Sequence, residues 1–256
     1  MRFGFFDSDG LKLRYFECGE GEPLILIHGL GDCIEGWTFQ YDELSEHFRV
    51  VALDLRGFGM SDVPDEITIA DFAVDVKNLM DHLELSRANL LGLSMGGVVC
   101  MEFYKQHPGR VKSLILANTL HKVPDKAMFE QRLKLLESSP NLDQIAEFIA
   151  ETSLHQDRED LREMVRTIIR KNDKRFYTMV TAELGKIDYE SLLPKIDVPT
   201  LVITAEYDIT TPPALGREIA RLIPNSKLVE VKNSAHLAKL ENPEEFNGYI
   251  IDFLKN

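Results

Sequence analysis

Residues 92–96, Gly92-Leu93-Ser94-Met95-Gly96, set one hydroxyl between two glycines where an apolar run gives way to a helical pattern. A strand-to-helix turn that sharp leaves no room for side chains two residues before and after the serine, which accounts for both glycines. It also predicts a strained serine backbone, at about 1–3 kcal/mol, with the hydroxyl projected above the sheet. Such a hydroxyl is a poor nucleophile until a base takes its proton. Of the seven histidines, His47, His82 and His107 sit near predicted helix ends, where solvated or capping roles are expected. His236 lies in Asn233-Ser234-Ala235-His236-Leu237, a loop after the last strand pattern. In a parallel sheet that loop opens on the edge where ligands bind, so His236 is the expected general base.

The base needs a carboxylate to fix its tautomer and stabilise the imidazolium. Asp208, in Ala205-Glu206-Tyr207-Asp208, follows the strand pattern 200–204 on the same edge. Glu206 is its local rival, whereas Asn118 and Thr119, at the end of the preceding strand, cannot carry the charge. Acyl transfer also requires two backbone N–H donors aimed at a developing oxyanion. The segment His28-Gly29-Leu30-Gly31 follows strand 24–27, so the expected donors are the amides of Leu30 and Met95. Met95 opens a helix whose dipole favours negative charge there. His28 is expected to order its loop by hydrogen bonding. Trp37, His121 and Leu237 are candidate substrate-lining residues, although packing under the loop is the leading reading for Trp37, and His121, in the expected cap, could face substrate or solvent.

The elements that must position these groups are legible as patterns. Runs 24–27, 49–53, 89–93, 111–117 and 200–204 read as strands, as does 227–231, while 11–17 alternates apolar and polar residues. Ile69, Phe72, Ala73, Val76, Leu79, Met80 and Leu83 fall on one helical face. A second helix is expected over 95–106, stopping before Pro108. Thr211 before Pro212 reads as an N-cap with proline at the first helical position, and Asn242-Pro243-Glu244-Glu245 repeats the signal. Strands alternating with helices imply a mostly parallel sheet covered on both faces, an α/β architecture. Between Ala117 and Thr200 lie 82 residues, far more than the crossover minimum of about 10–12. Helical stripes such as Ile145, Phe148 and Ile149, or Leu161, Val165 and Ile168, occupy that interval. It is expected to be a helical cap over 120–189, inserted into a core made of 1–119 and 190–256.

The 256 residues are 44% hydrophobic and 28% charged, a globular composition, and no run approaches the ~18–20 apolar residues of a membrane span. The N-terminus meets acid before any hydrophobic segment, so no signal peptide is expected. A net charge of −13 disfavours nucleic acid and anionic lipid as partners. Cys18, Cys33 and Cys100 are odd in number and lack C-x-x-C spacing, which suits a reducing cytoplasm. There is no phosphate-binding loop, dinucleotide fingerprint or H-E-x-x-H, so no cofactor and no metal are expected.

Together the motifs resemble the α/β-hydrolase superfamily over nearly the full length apart from the cap. His28-Gly29-Leu30-Gly31 resembles the family's oxyanion loop, and Asp54-Leu55-Arg56-Gly57-Phe58-Gly59-Met60-Ser61 its D-x-R-G-x-G-x-S loop. Residues 92–96 resemble the nucleophile elbow, and Ser94, Asp208 and His236 follow the family order of serine, acid and histidine. Ala205 departs from the glycine that many relatives carry before the acid. Serine at the elbow argues against the aspartate-bearing dehalogenases and epoxide hydrolases. The resemblance implies a serine hydrolase cleaving esters of small or medium acyl substrates. The alternatives are a lactonase, a meta-cleavage C–C hydrolase, a perhydrolase or cofactor-free haloperoxidase, and a small-molecule receptor retaining the triad.

Overall fold

In the computed structural model, residues 1–255 are described, apart from the side chain of Met128. Eight strands form one sheet: β1 (Arg2–Ser8), β2 (Leu11–Cys18), β3 (Pro23–Ile27), β4 (Arg49–Leu53), β5 (Ala88–Leu93), β6 (Val111–Ala117), β7 (Thr200–Ala205) and β8 (Ser226–Val231). Their order is β1-β2-β4-β3-β5-β6-β7-β8. The pairs from β4 to β8 are parallel, and β1 and β2 join antiparallel at one edge. Unbroken apolar strands are stable only with both faces covered, and β5 is buried along its whole length.

The helices supply the covering layers. On one face lie α2 (Ile69–His82) and α3 (Met95–Gln106), packed through Phe72, Val76, Val98 and Phe103. On the other lie α1 (Thr38–Ser45) and the C-terminal helix, through Leu44, Phe246 and Ile250. The start of α2 is fixed by Asp71, whose carboxylate accepts from the Thr68 amide and hydroxyl, each at 2.7 Å.

Between β6 and β7 the chain forms α4 (Lys126–Ser138), α5 (Asp143–Thr152), α6 (Glu159–Arg170) and α7 (Lys174–Leu184). The two ends of this inserted segment meet where the backbones of Lys122 and Asp188 form an isolated antiparallel β-bridge and the Tyr189 amide donates to the His121 carbonyl at 2.8 Å. The remaining helices are α8 (Pro213–Leu222), α9 (Ala238–Glu241) and α10 (Pro243–Lys255).

Three elements differ from the sequence reading. Strand β1 is an edge strand whose Phe3 and Phe5 are exposed, so its alternation runs aromatic residues into solvent. Helix α1 buries Gln40, which donates to the Lys239 carbonyl at 2.8 Å, and so carries little amphipathic signal. Helix α8 begins at Pro213, with Pro212 before it, and the Thr211 side chain is not its cap because Asp208 engages it.

Candidate active site

Ser94 sits between β5 and α3 with φ +54° and ψ −116°, a conformation that costs about 1–3 kcal/mol for a residue with a Cβ. The neighbouring structure holds it there. Its amide donates to the Ala117 carbonyl at 2.9 Å, and its carbonyl accepts from Thr119 Oγ1 at 2.6 Å. A Cβ on Gly92 would overlap the Gly96 carbonyl, and one on Gly96 would overlap the carbonyl of Ile27 in β3. Both glycines are therefore required by close backbone approach.

The 28–36 loop crosses beside this turn: a Cβ on Gly29 would stand 3.5 Å from that of Ser94. His28 is fully buried and both ring nitrogens are occupied. Nε2 accepts from the Leu55 amide at 3.1 Å, which leaves Nδ1 to donate to the Gly29 carbonyl at 2.7 Å. Burial holds this imidazole below its ordinary range, so it is a neutral loop fastener. Asp54 ties the same loop to β2, accepting from the Ile34 amide at 2.8 Å and from Arg14 Nε at 2.6 Å.

Asp208 is buried, and five donors meet its carboxylate. The amides of Thr210 and Thr211 reach Oδ1 at 2.8 and 2.9 Å. Thr211 Oγ1 reaches Oδ2 at 2.7 Å, as do Asn118 Nδ2 and His236 Nδ1 at 2.9 Å. Burial alone would raise its pKa, but the His236 charge and these donors outweigh it and hold the carboxyl below the usual range. The Oδ2 bond commits His236 Nδ1 as a donor, which places the lone pair of the neutral ring on Nε2. Glu206 is engaged elsewhere, accepting from the Asn233 amide at 3.1 Å.

Ser94 and His236 line one cavity of about 440 Å³, together with Leu30, Met95 and Leu237. The inserted segment roofs it with apolar residues including Phe129, Ile145, Ile149 and Val165. Met95 is the first residue of α3, so its amide has no partner one turn back in the helix. Of the three candidate lining residues Leu237 lines the cavity, while Trp37 takes the packing role favoured for it and His121 lies elsewhere. Trp37 is packed beneath the 28–36 loop with Lys239 Nζ 4.1 Å from its ring centroid, and Gly36 takes the place at the cavity wall. His121 is buried toward α8, its Nε2 3.9 Å from Glu218, because its backbone is fixed at the base of the insertion. His155 stacks on Tyr207 at 3.7 Å.

Residues that the sequence reading did not assign to the site support it from behind. Asn118, noted there only as uncharged, donates to Asp208, and Thr119 holds the Ser94 carbonyl. Lys239 is wholly buried, with Nζ on Asp32 at 2.8 Å and on the Gly36 carbonyl, and so pins the 28–36 loop to α9. A lysine inside the apolar run Leu237-Ala238-Lys239-Leu240 was the available signal. Two side-chain groups have metal-like spacing among the described residues, Cys33–Glu35–Asp54 and His121–Glu190–Glu218. Each already holds a basic side chain: Arg14 pairs with Glu35 and Asp54, and Lys122 with Glu190 and Glu218. All three cysteines are buried free thiols, and burial pushes each thiol pKa up, which makes them unreactive.

The chain is similar to known hydrolases. The chain is 26% identical over 94% of its length to a putative carbamate hydrolase of Yersinia enterocolitica, covering 91% of that protein. The enol-lactonase of Burkholderia xenovorans LB400 superposes with a TM-score of 0.93 at 29% identity, covering 99% of this chain and 100% of that one. A thermophilic esterase from Thermogutta terrifontis, solved with malate bound, also gives 0.93 at 29% identity, covering 100% and 98%. The family model for the alpha/beta hydrolase fold matches residues 22–243. That match runs from β3 to the first residue of α10 and takes in every parallel strand of the sheet, and on that ground the chain belongs to the alpha/beta hydrolase fold family.

Proposed function

We propose that this member of a hydrolase family cleaves carboxylic esters of small or medium size through an acyl-enzyme on Ser94. The observation that carries the reading is the Asp208–His236 bond of 2.9 Å, set behind a histidine that shares one cavity with a strained, glycine-flanked serine. Ser94 Oγ attacks the ester carbonyl while His236 Nε2 takes its proton, and Asp208 stabilises the resulting imidazolium. The oxyanion rests on the amides of Leu30 and Met95. His236 then gives its proton to the leaving alcohol oxygen. Water, deprotonated by the same nitrogen, attacks the acyl carbon, and His236 returns that proton to Ser94 Oγ as the acyl–oxygen bond breaks, releasing the acid and free Ser94. Every step is balanced by groups on the chain and by water. Residues 120–189 act as a cap that excludes bulk solvent from a core of 1–119 and 190–256. The buried free thiols support a reducing compartment such as the cytoplasm.

A lactonase reading is favoured by the likeness to an enol-lactonase, since a cyclic ester needs the same groups. A panel of p-nitrophenyl esters of graded chain length, with lactones alongside, tests both. Multiple turnover by the wild type, with loss of at least about 10³-fold in Ser94→Ala, is expected. Turnover by Ser94→Ala close to that of the wild type would discard the serine assignment.

A further inference from the structure

We propose that Arg132 is an anion-recognising residue in this cavity, and that its preferred substrates are esters carrying a second, free carboxylate. The proposal rests on the reading of the cavity as the site of acyl transfer, and it names the substrate class of that site.

The inserted segment carries six arginines. Five of them are paired with carboxylates: Arg158 with Asp160 at 2.6 Å, Arg162 with Asp157 at 2.7 Å, Arg166 with Glu147 at 2.9 Å, Arg170 with Asp143 at 3.4 Å and Arg175 with Asp65 at 3.2 Å. Arg132 is the exception, with no carboxylate partner among the described residues. Its hydrogen bond runs from Nη2 to the Tyr177 hydroxyl, at a long 3.3 Å. In a chain with 42 acidic residues, an arginine left without one is set apart from its neighbours.

Its position gives that isolation a meaning. Arg132, on α4, lines the same cavity as Ser94 and His236, in walls that are otherwise mainly apolar. The other formally charged lining side chain, Asp32, is already committed to Lys239 at 2.8 Å. Arg132 is half-buried and its Nη2 lies on Tyr177, another lining residue, so its guanidinium has lost part of its hydration without gaining a counter-ion. A ligand carboxylate would supply one, with the planar fork offering two parallel N–H donors. A net charge of −13 works against anionic substrates in general, so selecting one requires a local cation of this kind. A cavity of about 440 Å³ suits half-esters of short dicarboxylic acids.

A matched pair of substrates tests this. The p-nitrophenyl half-ester of glutarate and p-nitrophenyl 5-methylhexanoate share chain length and branching, and differ in a carboxylate against an isopropyl group. The wild type is expected to favour the half-ester in kcat/KM by about 10- to 100-fold, the range of one charge-assisted contact. Arg132→Met should collapse that ratio, while Arg132→Lys, which keeps charge but not the fork, should retain part of it. A wild-type preference for the neutral ester, or a ratio unmoved by Arg132→Met, would overturn the proposal. If the wild type hydrolyses neither ester, the ester reading fails, and glutarate itself becomes the probe by calorimetry. Glutarate binding at least tenfold weaker in Arg132→Met supports the anion site, and equal or absent binding overturns it. Thermal melts of each variant check folding. If Arg132→Met does not fold, the comparison passes to Arg132→Lys, whose ratio must lie below that of the wild type.

Discussion

Asp208→Asn separates the catalytic work proposed for the carboxylate from its structural work. The substitution keeps the shape of the side chain and an acceptor at Oδ1, so the Thr210 and Thr211 amides retain their partner. At Oδ2 an NH₂ group would now face three donors: Thr211 Oγ1, Asn118 Nδ2 and His236 Nδ1. The Thr211 hydroxyl can rotate to accept. Asn118 can turn its amide, since its own Oδ1 has no partner among the described residues. Facing that NH₂ group, His236 accepts at Nδ1 and carries its proton on Nε2, because the one other acceptor in reach of an Nδ1–H, Thr211 Oγ1, stands at a longer 3.2 Å. The nitrogen that must take the Ser94 proton is then blocked. Loss of one charge-assisted bond costs about 1.5–3 kcal/mol of stability, or roughly 3–12 °C in Tm for a chain this long. The wrong tautomer should cost about 10⁴ in kcat, close to 5.4 kcal/mol of barrier. Steady-state ester hydrolysis and thermal melts at pH 7–8 measure the two quantities separately. The carboxylate is held below its ordinary range, so its stabilising contribution is complete above about pH 4 and is lost as pH falls through the native value. The stability gap between wild type and Asp208→Asn should therefore close on acidification below about pH 4. Activity within tenfold of wild type in a folded Asp208→Asn variant would refute the reasoning.

Gly96→Ala would push a methyl group into the backbone carbonyl of Ile27, where no flexible side chain can yield. It should lower stability by about 1–3 kcal/mol and reduce kcat by a larger factor, read by melts and ester turnover; unchanged values would remove the steric argument for the elbow glycine. His121 is buried with neither ring nitrogen hydrogen-bonded among the described residues, and burial, outweighing Glu218 at 3.9 Å, holds it below the ordinary imidazole range. The unfolded chain therefore takes up a proton first as pH falls below about 6.5, which destabilises the native state. His121→Leu should stabilise the protein by about 1 kcal/mol at pH 7 and flatten the decline in Tm towards pH 5; a lower Tm across that range would contradict this account.

Much of the site was legible because its residues stand at points where the chain changes conformation. Ser94 ends a buried strand, Asp208 follows β7, and His236 follows β8, all at the same edge of a parallel sheet. The apolar runs of β3 to β7 carried the sheet into view because strands covered on both faces cannot accommodate polar alternation. What was hidden depends on contacts between distant segments. Asn118 and Asp208 are 90 residues apart, and the Lys239 ammonium reaches Asp32 across 207. Nothing local distinguishes Asn118 as a donor to Asp208. Trp37 packs under its loop, the reading its sequence position favoured, whereas His121, which could have faced substrate or solvent, is fixed by its backbone at the base of the insertion. Strand β1 escaped notice because an edge strand with exposed phenylalanines does not show the apolar-in, polar-out signature.

Active-site labelling addresses the central claim most directly. The wild-type protein, treated with an equimolar fluorophosphonate and mapped by peptide mass spectrometry, should carry one phosphonyl group per chain on Ser94. Ester hydrolysis should fall in proportion to labelling, and Ser94→Ala should take up none. Labelling confined to another residue, or full ester turnover after Ser94 is quantitatively modified, would contradict the account.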